Sequence, residues 1–305
     1  MNKIKVQNGK LEIPEIALGC MRISEMPEEK VNHLINTAMD EGINFFDHAD
    51  IYGGGKSEEI FATAVNLSSI KREKMILQSK CGIRDGYYDF SKDYILQSVD
   101  GILRRLQTDY LDVLLLHRPD ALMEPNEIAE AFDLLQEKGK VRNFGVSNQN
   151  PMQIELLKRT VKQDLIFNQL QLSIKRSGMI DAGLNVNMKV DNSVDHDGSI
   201  LDYCQLNKIT VQAWSPFQFG FFEGVFLNNQ KFPKLNKVID RLADKYAVTN
   251  SAVAVAWILR HPAKIQTIIG TTNSSRVSDM AKASSFELTR NEWYEIYRSA
   301  GNTLP

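Results

Sequence analysis

Short apolar runs alternate along the chain with segments whose apolar residues recur at helical spacing. The runs have strand length and lie at residues 16–19, 43–46, 75–79, 111–116, 141–146, 165–170, 209–213 and 265–269. The segments between them, such as residues 31–39, place apolar side chains on one face of a helix. Residues 3–13 alternate around Asn8-Gly9, which predicts a β-hairpin.

This repeated strand–helix order predicts an α/β protein with the (β/α)8 TIM-barrel fold. A doubly wound open sheet is the alternative. We favour the barrel because polar clusters follow nearly every strand, and barrel sites lie at the carboxyl ends of the strands. No linker divides the chain, so we expect one domain over residues 1–305, with 1–14 as a hairpin cap and 288–305 as a C-terminal helix and tail. Residues 173–199 and 216–233 are predicted to be long active-site loops over the C-terminal face.

Three of the predicted strands end in ionisable side chains. Asp47 and Tyr52 follow the second strand, Lys80 ends the third, and His117 follows the fourth. If the strands are parallel neighbours, these four side chains meet at one rim. A cationic Lys80 would lower the pKa of Tyr52, and Asp47 would hold Lys80 in place. Such a tyrosine can give a proton to a carbonyl oxygen while His117 orients that oxygen, provided that a hydride donor is bound.

The composition bears on the partners and the cellular compartment to expect for this protein. The chain has 305 residues, of which 43% are hydrophobic and 24% charged, and a net charge of −2. This balance argues against a nucleic-acid or membrane partner. No apolar run approaches the roughly 18 residues of a membrane span, and the amino terminus lacks a secretory signal pattern. Three scattered cysteines predict no disulfide framework, so we expect a cytoplasmic protein.

Four motifs in register resemble the aldo-keto reductase superfamily. They are Gly42-x4-Asp47-x-Ala49-x2-Tyr52-Gly53, the strand ending at Lys80, the LLLHRPD block around His117, and Gly145-Val146-Ser147-Asn148. The resemblance extends from residue 19 to residue 276. The residues within these motifs are similar to those of a bacterial branch of the superfamily. It implies an oxidoreductase in which Tyr52 is the general acid/base, Lys80 and Asp47 tune it, and His117 orients the carbonyl.

The resemblance also implies a nicotinamide dinucleotide, NADP(H), bound across the barrel mouth. Ser147, Asn148 and Gln169 match positions that bind the nicotinamide amide, and Trp214 matches an aromatic residue that stacks on its ring. The full set of implied cofactor-binding residues is Gly19, Met21, Asp47, Ser147, Asn148, Gln169, Trp214, Ser215, Pro216, Phe217, Gly270, Thr271 and Arg276. The implied partner is a small-molecule carbonyl substrate, and the implied oligomeric state is a monomer.

The sequence departs from the family pattern at two places. His48 replaces the usual Ser or Thr after Asp47. The Lys-Ser…Arg…Asn pattern for an adenosine 2′-phosphate becomes Gly270-Thr271…Arg276…Met280, in which only the arginine is kept. We therefore expect NADP(H) over NAD(H), with NAD(H) possible.

Two other functions remain open from the sequence. The first is a nucleotide-binding regulatory subunit of aldo-keto reductase type with little turnover. The second is a metal-dependent barrel hydrolase, for which Asp47, His48, Asp50, His117 and Lys80 are candidate ligands. The chain has only five histidines and no His-x-His pair, so we predict no metal site.

Overall fold

The computed structural model describes residues 1–66 and 69–304, and its strands form a hairpin followed by a closed barrel. The hairpin strands β1 and β2 pair antiparallel. In chain order the strands are β1 (Lys3–Val6), β2 (Leu11–Pro14), β3 (Ile16–Gly19), β4 (Phe45–Asp47), β5 (Ile76–Cys81), β6 (Leu111–Leu116), β7 (Val141–Ser147), β8 (Leu165–Gln171), β9 (Thr210–Trp214) and β10 (Gln266–Ile269).

The barrel closes where β10 pairs in parallel with both β3 and β9. Between these two pairings every strand from β3 to β9 lies in parallel beside the next one along the chain. The predicted TIM barrel is therefore confirmed, and the open-sheet alternative is wrong. Strands β3 and β6 have the bounds that their apolar runs predict.

Helices surround the barrel and follow the strands. Several begin at residues whose side chains cap the first turn: Ser91, Asn150 and Thr289 each accept a hydrogen bond from a backbone N–H. In chain order the helices are α1 (Glu28–Asp40), α2 (Lys56–Val65), α3 (Ser69–Glu73), α4 (Lys92–Leu106), α5 (Pro125–Glu137), α6 (Pro151–Lys158), α7 (Gly178–Leu184), α8 (Ile200–Leu206), α9 (Pro233–Tyr246), α10 (Asn250–Leu259), α11 (Ser274–Ala281) and α12 (Arg290–Ser299).

The hairpin covers the amino-terminal end of the barrel. Its side chains Ile4 and Ile13 join a buried cluster with the interior residues Phe45 and Phe167. The Gln266 side chain at the start of β10 also donates a hydrogen bond of 2.7 Å to the Pro14 carbonyl. With that end covered by apolar contacts, the carboxyl ends of the strands are left to form a site.

The two long connections differ in structure. Residues 173–199 contain α7 and a short 3-10 turn at Asp191–Ser193. Residues 216–232 have no regular element except an isolated bridge between Gln218 and Val225, and helix α9 begins at Pro233. Phe226 from this segment is buried in the main core. Within the described ranges, none of the helices has the length and apolar character that spanning a bilayer requires.

Candidate active site

Lys80 lies at the centre of the ionisable cluster. Its ammonium group donates to Asp47 Oδ2 at 2.9 Å, to Tyr52 Oη at 3.1 Å and to the carbonyl oxygen of His48 at 2.7 Å. The Lys80 side chain is fully buried, as is nearly all of Asp47. The three donor protons of the ammonium group thus all have acceptors, which is what a buried charge requires.

The turn after β4 carries Tyr52 to this ammonium group. Residues 52–55 form a 3-10 turn in which Gly53, Gly54 and Gly55 all have positive φ, from 59° to 96°. A side chain at Gly55 would also come within 2.8 Å of Arg105. The three-glycine run therefore permits a left-handed path that brings Tyr52 back over the end of the barrel.

Two carboxylates that flank this turn accept hydrogen bonds from neighbouring elements. Glu58 on α2 is fully buried, and its carboxylate accepts from Ser79 at 2.8 Å and from Arg105 at 2.7 Å. Asp50 accepts from Tyr94 and Ser98 on α4 at 3.0 and 2.8 Å. Since both α2 and α4 pack outside the barrel, these bonds tie the turn to the helical layer.

His117 follows β6 and completes the cluster. Its ring lies edge-on to the ring of Tyr52, with centroids 6.2 Å apart and planes at 82°. Burial, with further contributions from Lys80 and Arg118, lowers the pKa of His117 well below its ordinary value. His117 is therefore a neutral imidazole at neutral pH, and its Nδ1 has no hydrogen-bond partner among the described residues.

The pKa of Tyr52 corrects one expectation from the sequence. Burial raises this pKa more than Lys80 lowers it, and Asp47 raises it further, so the net shift is upward rather than downward. The sequence predicted the sign of the Lys80 contribution but not the larger desolvation effect. Tyr52 is therefore a protonated phenol at neutral pH, with a cation positioned to stabilise its conjugate base.

A buried network of glutamines holds Asp47 inside the barrel. Gln78 Nε2 and Gln169 Nε2 donate to Asp47 Oδ1 at 2.6 and 3.0 Å, and both also donate to Gln212 Oε1. Gln212 in turn donates to Gln266 at 2.8 Å. The sequence alone does not identify Gln78, Gln212 or Gln266, because their partners come from different strands of the closed barrel.

A cleft of about 1100 Å³ opens above this network at the carboxyl ends of the strands. Tyr52 and His117 reach it, whereas Lys80 lies beneath its floor. The structure also brings every cofactor-binding residue inferred from the resemblance to this one cleft: Gly19, Met21, Asp47, Ser147, Asn148, Gln169, Trp214, Ser215, Pro216, Phe217, Gly270, Thr271 and Arg276.

Three of these residues are joined by hydrogen bonds. Trp214 Nε1 donates to Asn148 Oδ1 at 3.2 Å, and Asn148 Nδ2 donates to Ser147 Oγ at 2.7 Å. Asn148 and Ser215 both have left-handed backbone conformations, with φ of 58° and 52°. Such conformations in residues other than glycine are uncommon and concentrate at functional sites, which is consistent with a ligand position here.

Other cleft residues were not identified as site residues from the sequence. Arg118 belongs to the LLLHRPD block, where its position next to His117 was an available signal. Tyr88, Phe221 and Phe222 form aromatic walls, and Thr249, Asn250 and Ser251 bring the start of α10 to the far end. Among the residues that the structure describes, no group of three His, Cys, Asp or Glu side chains is arranged to hold a metal ion.

The fold and the site together define a class of barrel oxidoreductase, and comparison with known proteins identifies its family. The model of the Aldo/keto reductase family matches residues 15–300. The chain is 35% identical to uncharacterized oxidoreductase YcsN of Bacillus subtilis, with 97% of each chain covered. It is 32% identical to a 6-dehydroglucose reductase of Agrobacterium fabrum and 33% identical to oxidoreductase YdhF of Escherichia coli. The former match covers 95% of each chain, and the latter covers 95% of this chain and 94% of YdhF.

The chain therefore belongs to the aldo/keto reductase family, as its motifs indicated. Among solved structures, an aldo-keto reductase from Klebsiella pneumoniae in complex with NADPH superposes with a TM-score of 0.78. That structure is 24% identical in sequence, and the match covers 98% of this chain and 95% of the other. This similarity confirms the barrel fold.

Proposed function

We propose that this protein reduces the aldehyde or ketone group of a small molecule to an alcohol, with NADPH as the hydride donor. The observation that carries the proposal is the hydrogen-bonded series from Asp47 through Lys80 to Tyr52, which ends at a phenol that lines the cleft. A site built on two carboxylates, a thiolate or a metal would suit other reactions. The series found here suits proton transfer by a tyrosine.

In the proposed reaction Tyr52 donates its proton to the carbonyl oxygen. The raised pKa of Tyr52 keeps the phenol protonated at neutral pH. When the proton leaves, Lys80 Nζ lies 3.1 Å from the phenolate oxygen and stabilises its charge. In the reverse direction, alcohol oxidation, the same phenolate takes the proton back.

We propose that His117 orients the carbonyl. A neutral imidazole in the cleft can donate one N–H to the substrate oxygen without competing with Tyr52 for the proton. The low pKa of His117 supports this neutral state throughout the physiological range. The T-shaped contact with Tyr52 supports this role, because it holds the two rings side by side in the cleft.

The cleft can hold the dinucleotide by contacts at both ends. We propose that Ser147, Asn148 and Gln169 bind the nicotinamide amide, that Trp214 packs on its ring, and that Arg276 binds the adenosine 2′-phosphate. When bound, NADPH supplies the hydride. The exposed guanidinium of Arg276 at the start of α11 supports NADPH over NADH, as does the bound NADPH of the Klebsiella pneumoniae structure.

Removal of the phenol oxygen of Tyr52 tests whether this residue is the proton donor. In Tyr52→Phe we expect turnover to fall by about 10²- to 10⁴-fold while NADPH binding, measured by fluorescence titration, changes little. Tyr87→Phe is the matched control, because Tyr87 is an exposed phenol of a nearby loop that does not line the cleft. Turnover that survives in Tyr52→Phe would remove the assigned acid.

The same assays separate the reductase from a regulatory subunit. NADPH and NADH are titrated first, and a panel of aldehydes and ketones is then assayed with the preferred cofactor. Tight NADPH binding with no oxidation of NADPH by any carbonyl would favour a nucleotide-binding subunit with little turnover.

A further inference from the structure

Arg118 places a positive charge in the cleft beside the proposed catalytic groups. It directly follows His117, is half-buried and lines the cleft. Its guanidinium lies 5.7 Å from the ring centroid of Trp214 and 5.8 Å from that of Phe221. These aromatic contacts hold the side chain in place but do not neutralise its charge.

The guanidinium group lacks a counter-charge. In residues 1–66 and 69–304, no carboxylate lies within 4.0 Å of it and no hydrogen bond to it is formed. The other substantially buried arginines behave differently: Arg72 pairs with Asp112 at 2.8 Å, and Arg105 pairs with Glu58 at 2.7 Å. Burial lowers the pKa of Arg118, and the ionisable groups that counter this are phenols, those of Tyr88 and Tyr52.

The carboxylates that line the cleft are already engaged. Asp47 is paired with Lys80 at 2.9 Å, and Asp279 on α11 is paired with Lys282 at 3.6 Å. Neither carboxylate forms an ion pair that would balance the positive charge of Arg118. The part of the cleft around His117 therefore presents an uncompensated cation, and a partly desolvated cation of this kind favours an anionic ligand.

We propose that Arg118 binds a carboxylate carried by the substrate, so that the substrate of this reductase is a carbonyl compound that is also a carboxylic acid. The inference rests on the proposed carbonyl reduction, because it places the carbonyl at Tyr52 and His117. The rings of Tyr88, Trp214 and Phe221 then flank the apolar body between the carbonyl and the carboxylate.

A carboxylate suits Arg118 better than a neutral hydroxyl group does. The planar guanidinium presents paired N–H donors that match the two oxygens of a carboxylate, and the ligand charge cancels its own. A hydroxyl group would accept a hydrogen bond but leave the charge uncompensated. A phosphate of the cofactor is the other anion that could lie here, and the experiment must separate the two.

The test compares acid and amide forms of one aldehyde. We would measure kcat/KM of the wild type and of Arg118→Met for 2-, 3- and 4-carboxybenzaldehyde and for the corresponding formylbenzamides, with saturating NADPH. For at least one isomer we expect the wild type to prefer the acid by about 10- to 100-fold, the value of about one hydrogen bond to a charge. Arg118→Met should lose this preference while it retains activity on the amide, and Arg118→Lys should restore part of it.

Arg22 provides a charge-matched control. It also lines the cleft but is exposed, so Arg22→Met removes an equal charge from a solvated position. We expect its acid-to-amide ratio to stay within about twofold of the wild type, because solvent screens an exposed charge. An equal fall of the acid-to-amide ratio in Arg22→Met and Arg118→Met would overturn the proposal. The preference would then come from the overall positive potential of the cleft and not from Arg118.

Four further outcomes test whether Arg118 binds a substrate carboxylate. A wild type that reduces the amides as well as or better than the acids refutes carboxylate recognition but leaves the reductase proposal intact. A tenfold weaker NADPH affinity in Arg118→Met, with an unchanged acid-to-amide ratio, assigns the arginine to the cofactor instead. If no benzaldehyde is reduced, isophthalate is titrated into the NADP⁺-bound protein and followed by tryptophan fluorescence. Binding that Arg118→Met loses supports the proposal, and absence of binding counts against it.

Discussion

Replacement of Lys80 by Met removes the cation that joins Asp47 and Tyr52 while it keeps most of the side-chain volume. The three hydrogen bonds of the ammonium group, of 2.7 to 3.1 Å, are lost together. Asp47 is left as a buried carboxylate without a counter-charge. Gln78 and Gln169 still donate to its other oxygen, so it is not left without partners.

The expected loss of stability follows from what Asp47 loses, its counter-charge, and what it keeps, two glutamine hydrogen bonds. Removal of one partner of a buried ion pair costs about 3–5 kcal/mol, mainly because the remaining charge stays buried. The two glutamine bonds to Asp47 place the expected loss at the lower end, about 3 kcal/mol. Against a total stability of about 5–15 kcal/mol this is a large fraction, so Lys80→Met should still fold but unfold at a clearly lower urea concentration.

Urea unfolding at pH 7 and a double-mutant cycle with Asp47→Asn measure the loss. Because the asparagine removes the uncompensated charge, the double variant should be more stable than the sum of the single losses predicts, with a coupling of about 2 kcal/mol. Losses that add within about 0.5 kcal/mol, or a Lys80→Met loss below about 1 kcal/mol, would refute this account of the cluster.

The pH dependence gives a second measurement on the same variant. Burial lowers the pKa of Lys80, but Asp47 and Tyr52 raise it by more, so the net shift is upward. A raised pKa of a cationic group stabilises the fold below the unfolded-state pKa of about 10.4, and this stabilisation is lost as pH rises through the folded-state pKa. The stability curves of the wild type and of Lys80→Met should therefore approach each other at strongly alkaline pH.

Two further predictions concern His48 and Arg276. Burial lowers the pKa of His48 to about 3, so its contribution to stability is lost as pH falls from about 6.5, and about 2 kcal/mol is lost between pH 7 and pH 5. Because the leucine does not titrate, His48→Leu should lose about 2 kcal/mol less than the wild type over this range in urea unfolding, and an equal loss would contradict the burial of a neutral imidazole. Arg276→Met should raise the Kd for NADPH about tenfold and that for NADH less than twofold in fluorescence titrations, and equal effects on both would remove the 2′-phosphate contact.

The barrel itself was readable from the sequence because most residues of its strands are buried on both faces. Such strands are rich in apolar residues, and β6 at Leu111–Leu116 begins and ends where its run does. The polar residues that follow the strands then identify the rim. Helix α7 was predicted as part of a loop, because its seven residues, Gly178–Leu184, are too short and too mixed in polarity to show helical periodicity.

Two features of the candidate site depend on distances that the sequence does not contain. Gln78 and Gln212 are 134 positions apart, and they meet only because β5 and β9 face each other across the closed barrel. The net pKa shift of Tyr52 depends on how completely the phenol is desolvated, which competes directly with the attraction of Lys80. A motif can therefore identify the participants, but not which of two opposing effects is larger.

The distribution of charge in the cleft links these observations to specificity. Lys80 and Asp47 neutralise each other at the base of the cleft, so the proposed proton-transfer groups carry no net charge toward the substrate. Arg118 does carry one, at a position adjacent in sequence to His117. In the two proposals, chemistry and substrate recognition therefore depend on different charges. Variants of Lys80 should lower turnover on acids and amides alike, whereas variants of Arg118 should change the ratio between them.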